Sequence, residues 1–324
     1  MRLTDQLQSV LSAAASMEKE FAEQGDRVSA LVAEIAALRE KLPTPPTARA
    51  TQWGFAANDA DPTAAVKAGL VRMKADGGVW LRLWTSNFGS LSGGNVALID
   101  AAADAGVSVI LCVQPKDGEP EPFGTPDFAG FVAKNAARLR KCAYVEAGNE
   151  LNLVQYRPDD FGGGSDWHGP YVARWLKPLS TALATIGVKT LCTSVTDTYT
   201  PANYAPQHDA LLAAGAAACC DGVALHCYFR PQSLTDLTTI LTNLGRWNKP
   251  VYVTECNVLT KGLSPAQWQA QIGPYLSTLK TAGVAAINFY RGVAKPNGKW
   301  TWPVLFDDAG KPTDAYATVL AAMK

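Results

Sequence analysis

Along the first forty-two residues the apolar positions are Leu3, Leu7, Val10, Ala14, Met17, Phe21, Val28, Leu31, Ile35, Leu38 and Leu42, and Gln24 is the one polar residue on the same seam. The spacing alternates four and three, a narrow a/d stripe that predicts a coiled-coil helix over residues 1–42, roughly 60 Å long at 1.5 Å per residue. Glu18, Lys19, Glu20, Glu23, Arg27, Glu34, Arg39 and Glu40 flank the stripe. An apolar stripe needs cover. The same segment of another chain supplies it in a homo-oligomer assembled through residues 3–42, as a dimer or a trimer; folding back on the rest of the chain is the alternative. Ala14, Gln24 and Gly25 weaken the middle, and Gln24 at a core position sets register. Pro43, Pro45 and Pro46 then stop the helix and make residues 43–50 a short stiff linker.

From residue 51 the pattern changes to strand-like apolar runs alternating with amphipathic helical stretches. The runs are Gln52–Phe55, Val79–Trp84, Ser108–Val113, Ala143–Gly148, Lys189–Val195, Gly222–Tyr228, Pro250–Glu255 and Ala285–Tyr290. Most are continuously apolar, which suits strands buried on both faces. Helix starts are expected at Asp61-Pro62, at Thr125-Pro126 and at the capping box Ser264-Pro265-Ala266-Gln267. Gly77, Gly106, Gly187 and Gly283 mark helix ends. Eight such units over residues 51–324 predict an α/β fold, a (β/α)₈ TIM barrel preceded by the coiled-coil helix. A doubly wound open sheet would need a glycine-rich phosphate loop after an early strand. The first run is followed instead by Ala56-Ala57-Asn58-Asp59, and no internal repeat is visible.

Composition narrows the partners. Twenty-nine Lys and Arg balance twenty-nine Asp and Glu, so no global field favours nucleic acid or an anionic membrane, and a neutral substrate fits better. No run approaches eighteen apolar residues, and residues 1–6 lack the apolar core of a secretory signal. The expectation is a cytoplasmic or virion-associated protein with no membrane and no nucleic-acid partner. Seven cysteines lie mostly in apolar runs and read as buried thiols. Cys219, Cys220 and Cys227 near His226 lack the paired spacing of a zinc site, so no metal and no cofactor is expected.

In a barrel of this kind the chemistry sits at the C-terminal ends of the strands. Arg82 and Trp84 end the second run, Asn149-Glu150 follow the fourth, His226 and Tyr228 end the sixth, Glu255 ends the seventh and Tyr290-Arg291 follow the eighth. Two carboxylates, Glu150 and Glu255, thus face one pocket from opposite strands. Glycoside hydrolysis needs such a pair, one protonated to help the leaving oxygen and one ionised to attack. Solvated or salt-bridged side chains are the plainer alternative for the pair, a satisfied core histidine for His226, and an ion-pair partner of a structural Asp for Arg82.

The same residues carry a resemblance. Asn149-Glu150, Glu255, Arg82, His226-x-Tyr228 and the tail Leu305-Phe306-Asp307-Asp308-Ala309-Gly310-Lys311-Pro312 resemble, over the whole of 51–324, glycoside hydrolase clan A. This is the 4/7 superfamily of cellulases, mannanases and β-xylosidases. The resemblance implies Glu150 as acid/base and Glu255 as nucleophile. It further implies Asn149 on the sugar 2-hydroxyl, Arg82 and Tyr228 on Glu255, and His226 lining the site. The sequence departs from the clan in having Phe289-Tyr290-Arg291 rather than a tryptophan after the eighth run, and Glu150-Leu151-Asn152 without a proline.

Sugars stack their C–H faces on aromatic rings. Trp84, Trp167, Tyr290 and Trp302 are therefore candidate substrate contacts, with Trp300 as a substitute platform and Arg291 as a partner for a uronic acid carboxylate. Trp175, Trp247 and Trp268 fall in or beside helices and read as packing residues. The expected activity is a retaining glycosidase that cleaves β-linkages in a poly- or oligosaccharide. The alternative is a catalytically weak glycan-binding head on a coiled-coil stalk, an arrangement similar to parts of bacteriophage tail proteins. A third reading is a cytoplasmic enzyme assembled by its helix.

Overall fold

The computed structural model describes residues 51–324, apart from residues 59, 62, 86–90, 115–125, 159–160, 162–165, 197–200, 230–233, 259–262 and 295–302; at 201–203, 229 and 235 it describes the backbone alone. The expected coiled coil, the linker 43–50 and the oligomer built on residues 3–42 lie outside the described residues. So do Thr125, Trp300 and Trp302.

Eight parallel strands close into a barrel in sequence order. They are β1 (Gln52–Asn58), β2 (Trp80–Thr85), β3 (Ser108–Val113), β4 (Cys142–Ala147), β5 (Lys189–Thr196), β6 (Gly222–Phe229), β7 (Val251–Val258) and β8 (Ala286–Phe289). A helix follows each. These are α1 (Thr63–Ala75), α2 (Gly93–Asp104), α3 (Phe128–Leu139), α4 (168–184, with a π turn over Val172–Leu176), α5 (Pro201–Ala213), α6 (Leu234–Leu244), α7 (Pro265–Thr281) and α8 (Asp314–Met323). This is the (β/α)₈ barrel expected from the alternation of runs.

Strand alternation sends successive side chains to opposite faces. Outward residues such as Phe55, Leu81, Leu83, Val109, Leu111 and Val145 join Val66, Leu70, Leu98, Phe131 and Leu279 of the helices in one large apolar layer. Inward residues form a second, smaller cluster of Trp80, Ile110, Leu191, Ala224, Tyr252 and Ala286, against which Tyr144 packs. Here Tyr252 donates to the Tyr144 hydroxyl at 2.6 Å, and the two rings lie 4.7 Å apart. This aromatic cluster fills the barrel near the N-terminal ends of its strands. Two residues further along β2 and β4, the inward positions become Arg82 and Glu146, so the charged layer rests on an aromatic floor.

Closure leaves no room at Gly54. An added Cβ there would lie 1.8 Å from the backbone carbonyl oxygen of Trp80 on the neighbouring strand. Backbone cannot rotate away as a side chain can, so Gly54→Ala is expected to destabilise the barrel by more than about 3 kcal/mol. A guanidinium unfolding midpoint unchanged from the native chain would contradict this.

The helix ends follow local chemistry with two corrections. The capping box at Ser264 and Gln267 is present, and Gly77, Gly106, Gly187 and Gly283 all have positive φ. Asp61 does not cap α1. One of its oxygens accepts from the Asn58 N–H at 2.9 Å and the other pairs with Arg291, because a buried guanidinium needs a carboxylate more than a helix end does. The cap of α3 is Asp127, which accepts from the Gly130 N–H, rather than Thr125.

Candidate active site

Two irregularities in the sheet aim the side chains at the mouth. β7 continues to Val258 rather than ending at Glu255, as the sequence suggested. Its register against β6 slips there: Leu225 partners Val253, whereas His226 partners Glu255. Thr254 is the extra residue. A bulge re-aims a side chain, and Thr254 and Glu255 both reach the interior. β5 slips against β6 between Cys192 and Val195, and Ser194 in that slip accepts the Glu150 N–H at 3.2 Å. β4 stops at Ala147. Gly148 (φ 107°) then turns the chain, and Glu150 itself has φ 47°, a left-handed backbone that side chains other than Gly and Asn rarely adopt.

Arg82 is the hub. Its Nε donates to Glu146 Oε2 at 2.8 Å, one terminal nitrogen donates to Glu255 Oε1, and the other donates to Asn149 Oδ1 at 2.7 Å. Tyr228 donates its hydroxyl to Glu255 Oε2. His226 Nδ1 lies 2.9 Å from Glu150 Oε1 and 3.7 Å from Glu255 Oε2, and its Nε2 lies 3.8 Å from Glu146 Oε1. One oxygen of Glu150 and one of Glu255 fall within 4.8 Å of each other. The two carboxylates therefore share one space, with His226 between them. Arg82 pairs with glutamates, not with an Asp, and His226 is fully buried among three carboxylates rather than packed as an inert core residue.

Burial lowers the Arg82 pKa, yet Glu146 and Glu255 outweigh burial and hold it well above the usual value. Burial would likewise depress His226, but the carboxylates of Glu255 and Glu150 hold it above the ordinary 6.5. Burial would raise Glu150, whereas the hydrogen bond and charge of His226, with Arg82 behind, bring it below 4.5. Burial, then the charge of Glu255, raises Tyr228 well above 10, so it remains a hydroxyl donor. Both shifts run in the direction that favours an imidazolium beside a carboxylate.

The sign of the pH effect follows. The raised His226 contributes stability that is complete below pH 6.5 and lost as pH rises through its folded midpoint. The lowered Glu150 contributes stability present above pH 4.5 and lost as pH falls through its own. Calorimetry across pH is expected to show Tm declining on the alkaline side of 6.5, a decline that His226→Gln removes; an identical profile in that variant would refute the pair.

Glu150, His226 and Glu255 are the one set among the described residues with ligand atoms near enough to share a metal ion. Both Glu255 oxygens already accept from Arg82 and Tyr228, and a Glu150 oxygen is already engaged with His226 Nδ1 at 2.9 Å. A cation would have to displace donors and sit beside a guanidinium, so the donor set fits a proton better than a metal. Cys227 packs in the outer apolar layer, on the face opposite His226.

The aromatic expectations divide. Trp84 is half-buried at the mouth, its N–H held by the buried Gln114 at 2.6 Å. Tyr290 is half-buried, edge-on to Tyr228 at 6.3 Å, and its peptide to Arg291 is cis. Trp167 is corrected: it is 1% exposed, stacks on His168 at 4.3 Å and donates to Gln207, so no face is left for a sugar. It precedes α4, and the helix carries it into the core. Arg291 is also corrected, because it is buried in its pair with Asp61 rather than open at the mouth. Trp302 lies outside the described residues. Sequence reading missed Glu146, Thr254 and Ser194. Glu146 had a signal: a carboxylate in an apolar strand, two positions on from the inward Tyr144.

No protein-family model matches the chain, and no curated protein matches it. Solved structures do. A GH10 endoxylanase retrieved from sugarcane soil metagenome is 14% identical with a TM-score of 0.55, over 85% of this chain and 97% of that one. A GH5-4 broad specificity endoglucanase from Bacteroides salanitronis is 14% identical with a TM-score of 0.56, over 87% and 89%. The endo-beta-1,4-mannanase from Thermotoga petrophila is 12% identical with a TM-score of 0.55, over 85% and 77%. At these identities the likeness is one of fold.

Proposed function

We propose that this barrel is a retaining glycoside hydrolase acting on β-linkages of a poly- or oligosaccharide, with Glu255 as nucleophile and Glu150 as acid/base. The observation that carries the reading is that one oxygen of each carboxylate lies within 4.8 Å of the other, beside His226. Retention needs carboxyl groups about 5 Å apart, whereas inversion needs roughly 6.5–9.5 Å to seat a water between them. The xylanase, endoglucanase and mannanase folds it is similar to, and the clan A resemblance, agree with this reading.

The steps follow from the contacts. A Glu255 oxygen attacks the anomeric carbon while the bond to the leaving oxygen breaks and Glu150 supplies that oxygen with a proton. A glycosyl ester on Glu255 results. Glu150, now ionised, takes a proton from water, which attacks the same carbon and releases Glu255. The 2.9 Å contact with His226 gives Glu150 a neighbour with which to exchange that proton. Arg82 has only donors, so the Asn149 oxygen must face it. The Asn149 amide N–H₂ is left to donate to a sugar 2-hydroxyl, a contact that tightens as charge develops.

Aryl β-glycosides and dyed xylan, mannan and glucans test the activity. The product of first-formed configuration, read by proton NMR, is expected to be the retained anomer. A 2-deoxy-2-fluoro glycoside is expected to label the peptide carrying Glu255. Inverted product, or a label elsewhere, would refute the mechanism. Glycan binding that survives Glu255→Gln, without turnover by the native chain, would favour a binding head instead.

A further inference from the structure

Resting on that reading, the site holds one carboxylate more than double displacement uses. Glu146 is completely buried, two strand positions above the Tyr144 floor. Each of its oxygens is engaged: Oε2 accepts from Arg82 Nε at 2.8 Å, and Oε1 accepts from Thr254 at 3.2 Å while lying 3.8 Å from His226 Nε2. Burying a third carboxylate is costly unless it does something for its partners.

We propose that Glu146 is a positioning residue that orients both halves of the site, the nucleophile through Arg82 and the acid/base through His226. Arg82 is planar, so fixing Nε on Glu146 dictates where its other nitrogens point, one at Glu255 and one at Asn149. On the other side, Glu146 Oε1 lies 3.8 Å behind His226 Nε2, the one carboxylate at the back of the ring, whose Nδ1 faces Glu150. Thr254 exists at this position because of the β7 bulge, which thereby supports Glu146 as well as aiming Glu255.

The ionisable groups around His226 are Arg82 from β2, Glu146 and Glu150 from β4 and the segment after it, Tyr228 from β6 and Glu255 from β7; Cys112 on β3 lies behind Arg82 and Glu146, and Tyr290 after β8 lies towards Glu255. β1 and β5 contribute none. Among these, Glu146 alone is a carboxylate on the Nε2 side.

The chain has three histidines, His168, His208 and His226, so imidazole NMR of the full ¹⁵N-labelled chain resolves each, with His226→Gln assigning the third. In Glu146→Gln the His226 midpoint is expected to fall by roughly one pH unit, with His168 and His208 unmoved. With a turned-over aryl glycoside, kcat is expected to fall about 10²-fold at nearly unchanged KM, and the alkaline limb of the pH profile to move to lower pH. Glu146→Asp keeps the charge but draws it back by one methylene, and its midpoint is expected to lie between the other two. An unmoved His226 midpoint in folded Glu146→Gln would overturn the proposal. Should Glu146→Gln not fold, a native midpoint in Glu146→Asp would do the same. The NMR arm needs no turnover, so an inactive native chain would sink the proposed reaction while leaving the role of Glu146 to be judged by titration.

Discussion

Glu255→Gln is expected to lower kcat on an aryl β-glycoside by roughly 10⁴–10⁶-fold while leaving KM within a few-fold. The amide matches the carboxylate in size, and its oxygen can still accept from Arg82, so the pocket should keep its shape. What disappears is the electron pair that forms the glycosyl ester. The remaining donors, Asn149 and Arg82, stabilise charge but cannot open a double displacement. Steady-state rates on a fast-leaving substrate give the measurement, because there the first step depends least on Glu150. Retention of more than a hundredth of the native rate would mean that another group attacks, or that the site works by a different reaction.

Glu150→Ala has a different signature. For an unactivated leaving alcohol, loss of the proton donor is expected to reduce the first step by about 10²–10⁴-fold. For a dinitrophenyl group, which leaves without help, the first step should survive and the second should slow, since no base remains for the attacking water. The glycosyl ester then accumulates, giving a burst equal to the enzyme concentration followed by slow turnover. The alkaline limb should vanish as well, because His226 loses the carboxylate 2.9 Å from its Nδ1. Equal losses on both substrate types would argue against the acid/base assignment.

The barrel was legible because its strands are buried on both faces and its helices end in glycine; both leave local marks in sequence. The candidate pair was legible for the same reason, since Asn149-Glu150 and Glu255 stand beside long apolar runs. What stayed hidden depends on neighbours. The bulge at Thr254 exists only as a slip between β6 and β7, so strand β7 reads as ending at Glu255 when it runs three residues further, to Val258. Trp167 reads as a loop tryptophan, yet its ring is claimed by His168 and Gln207, which no spacing foretells. Asp61 looks like a helix cap until Arg291, distant in sequence, arrives beside it. Glu146 lies inside β4 rather than at its end, and only its parity with Tyr144 marks it as pointing inward.

The backbone at Glu150 carries a wider consequence. A residue held at φ 47° stores backbone strain of order 1–3 kcal/mol at the position proposed as acid/base. Glycine would relieve it. Breeding for heat resistance and breeding for catalysis thus pull this site in opposite directions. A glycine there would return that strain energy but leave the buried His226 without its 2.9 Å partner.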